Sequence, residues 1–234
     1  MTGVLMGFAV ATAAAMWQTR AVWTLPPLPS DKHAVLAQVI PLMLGFAAFQ
    51  FLFTADTMFV KAYFSADETG FYFAAGTMSR ALMWLVTPLA MVMFPKIVHS
   101  TAKSQENDLM GVVLLGTGVL AAIGGAGLWI VGPFAVKLMF TESYVRVAAS
   151  VLPWYAFAML PLAMANVLLN NLLARSAFRI VPALVVLAIG YGFALTQFHD
   201  SLQTVLKTMG VCNLLLLAVC AWFTWGVKQR SPQV

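Results

Sequence analysis

Charge is what this chain of 234 residues has least of: only 9% of its residues are Asp, Glu, Lys or Arg, against about a quarter in soluble domains. With 62% hydrophobic residues and a mean hydropathy of +0.88, that scarcity excludes a water-soluble globule, because no core of this size hides so much apolar surface. Disorder is excluded by the 17 Phe, 14 Met and 7 Trp, which disordered chains lack. Cysteine is scarce as well. Cys212 and Cys220 lie eight residues apart in one apolar run, on nearly one helix face, and read as small packing residues that leave the redox compartment open. His33, His99 and His199 fall in separate connections with no Cys or carboxylate cluster beside them, so neither a metal nor a cofactor is expected. No G-x-S-x-G turn, phosphate-binding glycine loop or nucleophile with an adjacent base is present, so nothing points to an enzyme. Lys207 lies near one end of the last apolar run, its start, and not mid-membrane, which also excludes a retinal protein.

What is present is a series of seven apolar segments, residues 1 to 18, 34 to 60, 71 to 95, 109 to 131, 147 to 173, 180 to 198 and 204 to 226. Of the 13 basic and 8 acidic residues, only Asp56, Arg80 and Lys207 fall inside them. Segments of about 20 residues without charge suit helices crossing hydrocarbon, where each span satisfies its own backbone, and not the ten-residue alternating strands of an outer-membrane barrel. The expected fold is therefore all-α, a polytopic transmembrane helix bundle of about seven spans. The net charge of +5 sits at membrane edges, so no nucleic-acid partner is expected; the partner is the lipid bilayer.

Alternate connections carry unequal basic charge. One side collects Arg20, Lys32, Lys96, Lys103, Arg175, Arg179, Lys228 and Arg230, and the other Lys61, Lys137, Arg146 and Lys207. Eight against four places the C-terminus in the cytoplasm. Met1 is then outside, and the first segment, with no basic residue before Arg20, does not resemble a secretory signal. It reads as a helix entered from its outer end, as in the continuation of a longer protein. Pro26, Pro27 and Pro29 stiffen the connection over residues 19 to 33, which reads either as a cytoplasmic linker between two lobes or as a plain interhelical loop. Residues 34 to 227 form the main lobe, and 228 to 234 a cytoplasmic tail.

Several spans carry polar residues at helical spacing. Gln50, Thr54, Thr57 and Lys61 follow at intervals of four, three and four, a stripe that should face a protein interior or a hydrated cavity. Asp56 lies off that stripe, about five residues from the outer end of its segment, where snorkelling or capping also accounts for it. With Lys61 it is the candidate for ion pairing or coupling. Gly76, Arg80, Trp84 and Thr87 form a second stripe. Arg80, about ten residues into its span, costs several kcal/mol unless paired or hydrated. Two explanations stand: an ion pair with Asp56, or a cavity position that holds a phosphate or acidic sugar through the guanidinium fork. Gln50, Thr54, Thr57 and Trp84 are the accompanying cavity candidates. Pro88 and Pro95 end or kink this span, and Gly111, Gly116, Gly118, Gly124, Gly125 and Gly127 in the next read as close-packing positions. Asn166 and Asn170, four apart, read as polar helix-interface residues, with Asn171 on another face.

The stretch Asp67-Glu68-Thr69-Gly70-Phe71-Tyr72-Phe73-Ala74-Ala75 resembles the acidic-x-Gly-x-Tyr-x-x-Ala start of the eighth helix in the multidrug/oligosaccharidyl-lipid/polysaccharide (MOP) flippase superfamily, in particular its polysaccharide and O-antigen flippases. Phe94-Pro95-Lys96 resembles the close of that helix. Phe140 to Tyr144 with Leu152, and Asn170 to Arg175, resemble the start and end of the tenth. Glu142 departs from the pattern where the family often has glycine. The resemblance implies two six-helix lobes joined by a cytoplasmic linker, of which this chain is similar to the last helix of the first lobe, the linker and the whole second lobe. It further implies a non-enzymatic transporter of the bacterial inner membrane that moves undecaprenyl-pyrophosphate-linked saccharide by alternating access, with an N-terminal lobe as partner and Arg80 on the headgroup. A multidrug antiporter of the same superfamily, and a truncated or structural subunit without transport activity, are the alternatives.

Overall fold

The computed structural model describes residues 2–23, 32–102, 109–139 and 142–226, and every regular element among them is helical. Seven α-helices follow in chain order: α1 (Thr2–Trp23), α2 (Lys32–Tyr63), α3 (Ala66–Ala102), α4 (Leu109–Met139), α5 (Glu142–Ala174), α6 (Val181–Gln197) and α7 (Leu202–Ala221). A 3₁₀ turn, Phe178–Ile180, precedes α6, and a π-helical turn, Trp222–Gly226, ends α7. The seven apolar segments all fall on these elements. Five of the helices, α2 and α4 to α7, are long and apolar enough to cross a membrane. The chain is thus a multi-pass helical membrane protein. The prolines at positions 26, 27 and 29, together with Lys103, Lys228 and Arg230, on which the linker and part of the orientation reading rest, lie outside the described residues.

Two compact units divide between Ala37 and Gln38, a few residues beyond the boundary expected at residue 33. The first holds α1, which runs on through Trp23 because nothing breaks a helix before Pro26. Its large side chains Leu5, Phe8 and Trp17 are exposed, and Arg20 lies 5.3 Å from the ring centre of Trp17. The second holds the rest of α2 and α3 to α7.

Within the second unit α5 is the central element. About 67% of its apolar window is buried, against 22% for α2 and for α4, because α3, α4 and α7 all pack on it. Leu152, Met159, Leu162, Leu168, Leu169 and Leu172 are fully buried along its length. The outer helices show the reverse. On α6 Val181, Leu184, Ala188, Tyr191 and Leu195 turn inward at intervals of three and four, while Val186, Ile189 and Phe193 are exposed. A helix apolar on both faces with one face uncovered is solvated by lipid, not water.

Local chemistry sets the helix ends. Ser65 and Glu68 close a reciprocal box at the start of α3: the Ser65 backbone N–H and hydroxyl donate to Glu68 Oε2 at 3.2 and 2.7 Å, and the Glu68 N–H donates to Ser65 Oγ. Ser201, in extended backbone, caps α7 by accepting from the Thr204 N–H. The end of α5 is a Schellman turn, in which Ala177 N–H donates to Leu172 O and Ser176 N–H to Leu173 O, with Ser176 left-handed at φ 55°. That turn reverses the chain within a few residues, and the turn before Ser201 reverses it again, so α7 returns parallel to α5.

Pro161 lacks the N–H that would reach the Phe157 carbonyl, which opens the hydrogen-bond ladder of α5. Asn213 on α7 donates its side-chain Nδ2 to the neighbouring Ala158 carbonyl at 2.8 Å. The bond ties α7 to α5 one residue beyond the opened position.

Candidate functional site

The deepest polar constellation is built on Asp56 of α2, whose side chain is fully buried (0% exposed). Arg80 of α3 places Nη2 at 2.9 Å from Oδ1 and 3.1 Å from Oδ2, and the same nitrogen reaches the Phe53 carbonyl at 3.4 Å. Tyr72 of α3 donates its hydroxyl to Oδ2 at 2.9 Å, and Tyr155 of α5 donates to that oxygen as well. Three helices therefore converge on one carboxylate, which accepts four short bonds from an ion partner and two phenols. The guanidinium is also sandwiched by aromatic rings, 5.3 Å from the centre of Phe53 and 5.7 Å from that of Tyr155, and the Tyr72 and Tyr155 rings tilt against each other at 5.1 Å. Each contact replaces water that hydrocarbon does not supply.

Gly76 makes this cage possible. A Cβ there would stand 3.1 Å from the Tyr155 hydroxyl and 3.2 Å from its ring carbons, so any larger residue would have to push the phenol back by a few tenths of an ångström. The second polar stripe thus begins as a packing device. One turn on, Arg80 keeps 18% of its side-chain surface, and one further turn brings Trp84, which is 76% exposed. Thr87, whose side chain lies outside the described residues, completes the stripe.

The first stripe behaves differently. Thr54 donates its hydroxyl to the Gln50 carbonyl at 2.8 Å and Thr57 to the Thr54 carbonyl at 2.6 Å, so both hydroxyls are satisfied on their own helix. Thr57 is buried, Thr54 half-buried, and Gln50 and Lys61 exposed. Lys61 ends α2 and makes no ion pair among the described residues; Asp56 pairs with Arg80 instead. Arg80 joins α3 to α2 through Asp56 and Phe53, and Gln50 and Trp84 are exposed on those two helices. Asn166 and Asn170 bond each other along α5, Nδ2 of Asn170 reaching Oδ1 of Asn166 at 2.9 Å and its carbonyl at 2.8 Å, because four residues apart they share a face. Asn213 bonds across from α7 to α5.

Tyr72, Tyr155 and Asn213 are the site and interface residues that sequence reasoning did not single out for a role. Tyr72 stands in the Glu68-x-Gly70-x-Tyr72 motif and so had a signal; Tyr155 and Asn213 had none beyond being hydrogen-bonding groups inside apolar runs. No group of three or more His, Cys, Asp or Glu able to hold a metal occurs among the described residues.

A phenol bonded to a buried carboxylate contributes about 1–2 kcal/mol. Tyr155→Phe is therefore expected to lower the unfolding free energy in detergent by about that amount. Tyr191 is a control, since its buried hydroxyl has no partner among the described residues. Tyr191→Phe is expected to be neutral or mildly stabilising, and thermal or denaturant unfolding of the two variants side by side checks the contrast.

Compared with family models, curated proteins and solved structures, the chain finds no match.

Proposed function

We propose that this chain is the second lobe of a membrane transporter, a flippase that moves undecaprenyl-pyrophosphate-linked saccharide across the bacterial cytoplasmic membrane by alternating access, with about seven spans and a cytoplasmic C-terminus. The observation that carries the proposal is the state of Arg80. Its Nη2 is held by Asp56 and Phe53, yet the side chain keeps 18% of its surface open. A guanidinium fixed at one nitrogen and open at its edge is suited to a phosphate or acidic sugar, and less so to a cation. The rival multidrug reading asks for a free carboxylate, and Asp56 is fully engaged. Arg80, with Gln50, Thr54 and Trp84 as the accompanying residues of α2 and α3, would line one wall of a cavity once a first lobe faced this one.

The test is complementation of a strain lacking its polysaccharide flippase, with this chain alone and with a separately expressed first lobe, read as surface polysaccharide. Restoration in either arm supports the proposal. Drug resistance without restored polysaccharide would favour the multidrug antiporter, and neither effect would favour a structural subunit.

A further inference from the structure

Away from the Asp56 cluster, a groove of about 210 Å³ runs between α5 and α7, lined on α5 by Trp154, Phe157 and Pro161 and on α7 by Gln203, Lys207 and Leu214. Its floor is Ala158 against Gly210, where a Cβ on the glycine would meet the Ala158 Cβ at 3.5 Å, so two small residues keep the groove open. Trp154, Phe157 and Leu214 are each more than half exposed along it. Because α5 and α7 are parallel, the polar side chains collect at one end. Gln203 and Lys207 lie near the start of α7 beside Trp154, whereas Pro161 and Leu214 lie deeper. At ~1.5 Å per residue the groove extends about 16 Å along α7 from Gln203 to Leu214, roughly half the ~30 Å thickness of a hydrocarbon core. Lys207 is exposed and makes no ion pair among the described residues.

We infer that this groove seats one anionic phospholipid of the adjacent leaflet, its phosphate on Lys207 with Gln203 beside it and one acyl chain laid along Trp154, Phe157, Pro161 and Leu214. Charge decides the occupant: a lone cation at the headgroup end of an apolar trough one leaflet deep complements a lipid that carries a negative head and a single-leaflet tail. The tryptophan stands at the same end, where amphipathic rings meet headgroups. The inference requires only that the chain spans the membrane, and it is independent of what the chain transports.

The experiment places the full chain in phosphatidylcholine nanodiscs containing a minor fraction of either dibrominated phosphatidylglycerol or dibrominated phosphatidylcholine, and reads the Trp154 emission as the difference from Trp154→Phe. The anionic quencher is expected to act at about a fivefold lower fraction than the neutral one, the effect of one basic side chain near an anionic headgroup, and the preference is expected to shrink with salt. Lys207→Gln, an exposed substitution with no ion-pair partner among the described residues, is expected to abolish the preference. Gly210→Leu, which fills the trough, is expected to weaken quenching while Lys207 remains. Equal quenching by both lipids would mean ordinary annular contact and would overturn the inference, as would a preference that survives Lys207→Gln or quenching unchanged by Gly210→Leu. Protection of Trp154 from both quenchers would mean that a second copy or another protein covers the groove, and would overturn it too.

Discussion

Arg80→Ala is expected to abolish saccharide transport while leaving the chain inserted in the membrane. A guanidinium has five N–H donors and cannot lose its charge, and the bonds Arg80 makes to described residues leave from Nη2. Nε is buried without a partner among the described residues, and 18% of the side-chain surface stays open. A phosphate oxygen meeting that surface would gain a charge-assisted bond in a medium of low dielectric, where alanine offers nothing. Arg80→Lys keeps the charge and loses the fork. It is expected to transport roughly tenfold more slowly, as the loss of one charge-assisted bond of ~1.5 kcal/mol gives. Surface polysaccharide measured against membrane-inserted protein separates these outcomes from poor expression, and full activity of the alanine variant would remove Arg80 from the site.

Asp56→Ala is expected to cause the largest loss of stability of any single change considered. It leaves the guanidinium in an apolar setting without its counter-charge and strips the acceptor from two phenols at once. Breaking a buried pair from one side costs about 3–5 kcal/mol. Asp56→Asn keeps an acceptor oxygen for the phenols and should cost less. Replacing both charges, as in Asp56→Leu with Arg80→Met, should recover most of the loss, since well-packed apolar residues match a buried pair. Unfolding in detergent reads all three. A loss below about 1 kcal/mol for Asp56→Ala would be the value of a surface ion pair and would contradict the burial described here.

The helices were legible in the sequence because hydrocarbon imposes one rule, that a spanning backbone must satisfy itself, and uninterrupted apolar runs are its direct imprint. Arg80 was legible for the same reason, as a charge standing where charge is costly. Its partner was legible only as one of two explanations. Asp56, counted along α2, stands near the end of its apolar run, where water is within reach; burial came from elsewhere, from Tyr72 sixteen residues on and Tyr155 ninety-nine residues on. Such pairings depend on how α3 and α5 cross α2, which no local period records. The threonines on α2 stand at helical spacing, and a hydroxyl there also has acceptors on its own helix: Thr54 and Thr57 donate to the carbonyls of Gln50 and Thr54. Asn166 and Asn170 likewise found each other before they found another helix.

The double variant Asp56→Asn with Arg80→Gln separates the two roles of Arg80, counter-ion of Asp56 and cation for the headgroup. It removes both charges together and so leaves neither uncompensated. The measurement is transport of lipid-linked saccharide in the flippase-deficient strain, normalised to folded protein in the membrane. The account predicts stability close to that of the unmodified chain with transport still lost, since the headgroup has no cation to meet. Transport restored to the unmodified level would contradict it, and would leave Arg80 as the counter-ion of Asp56 alone.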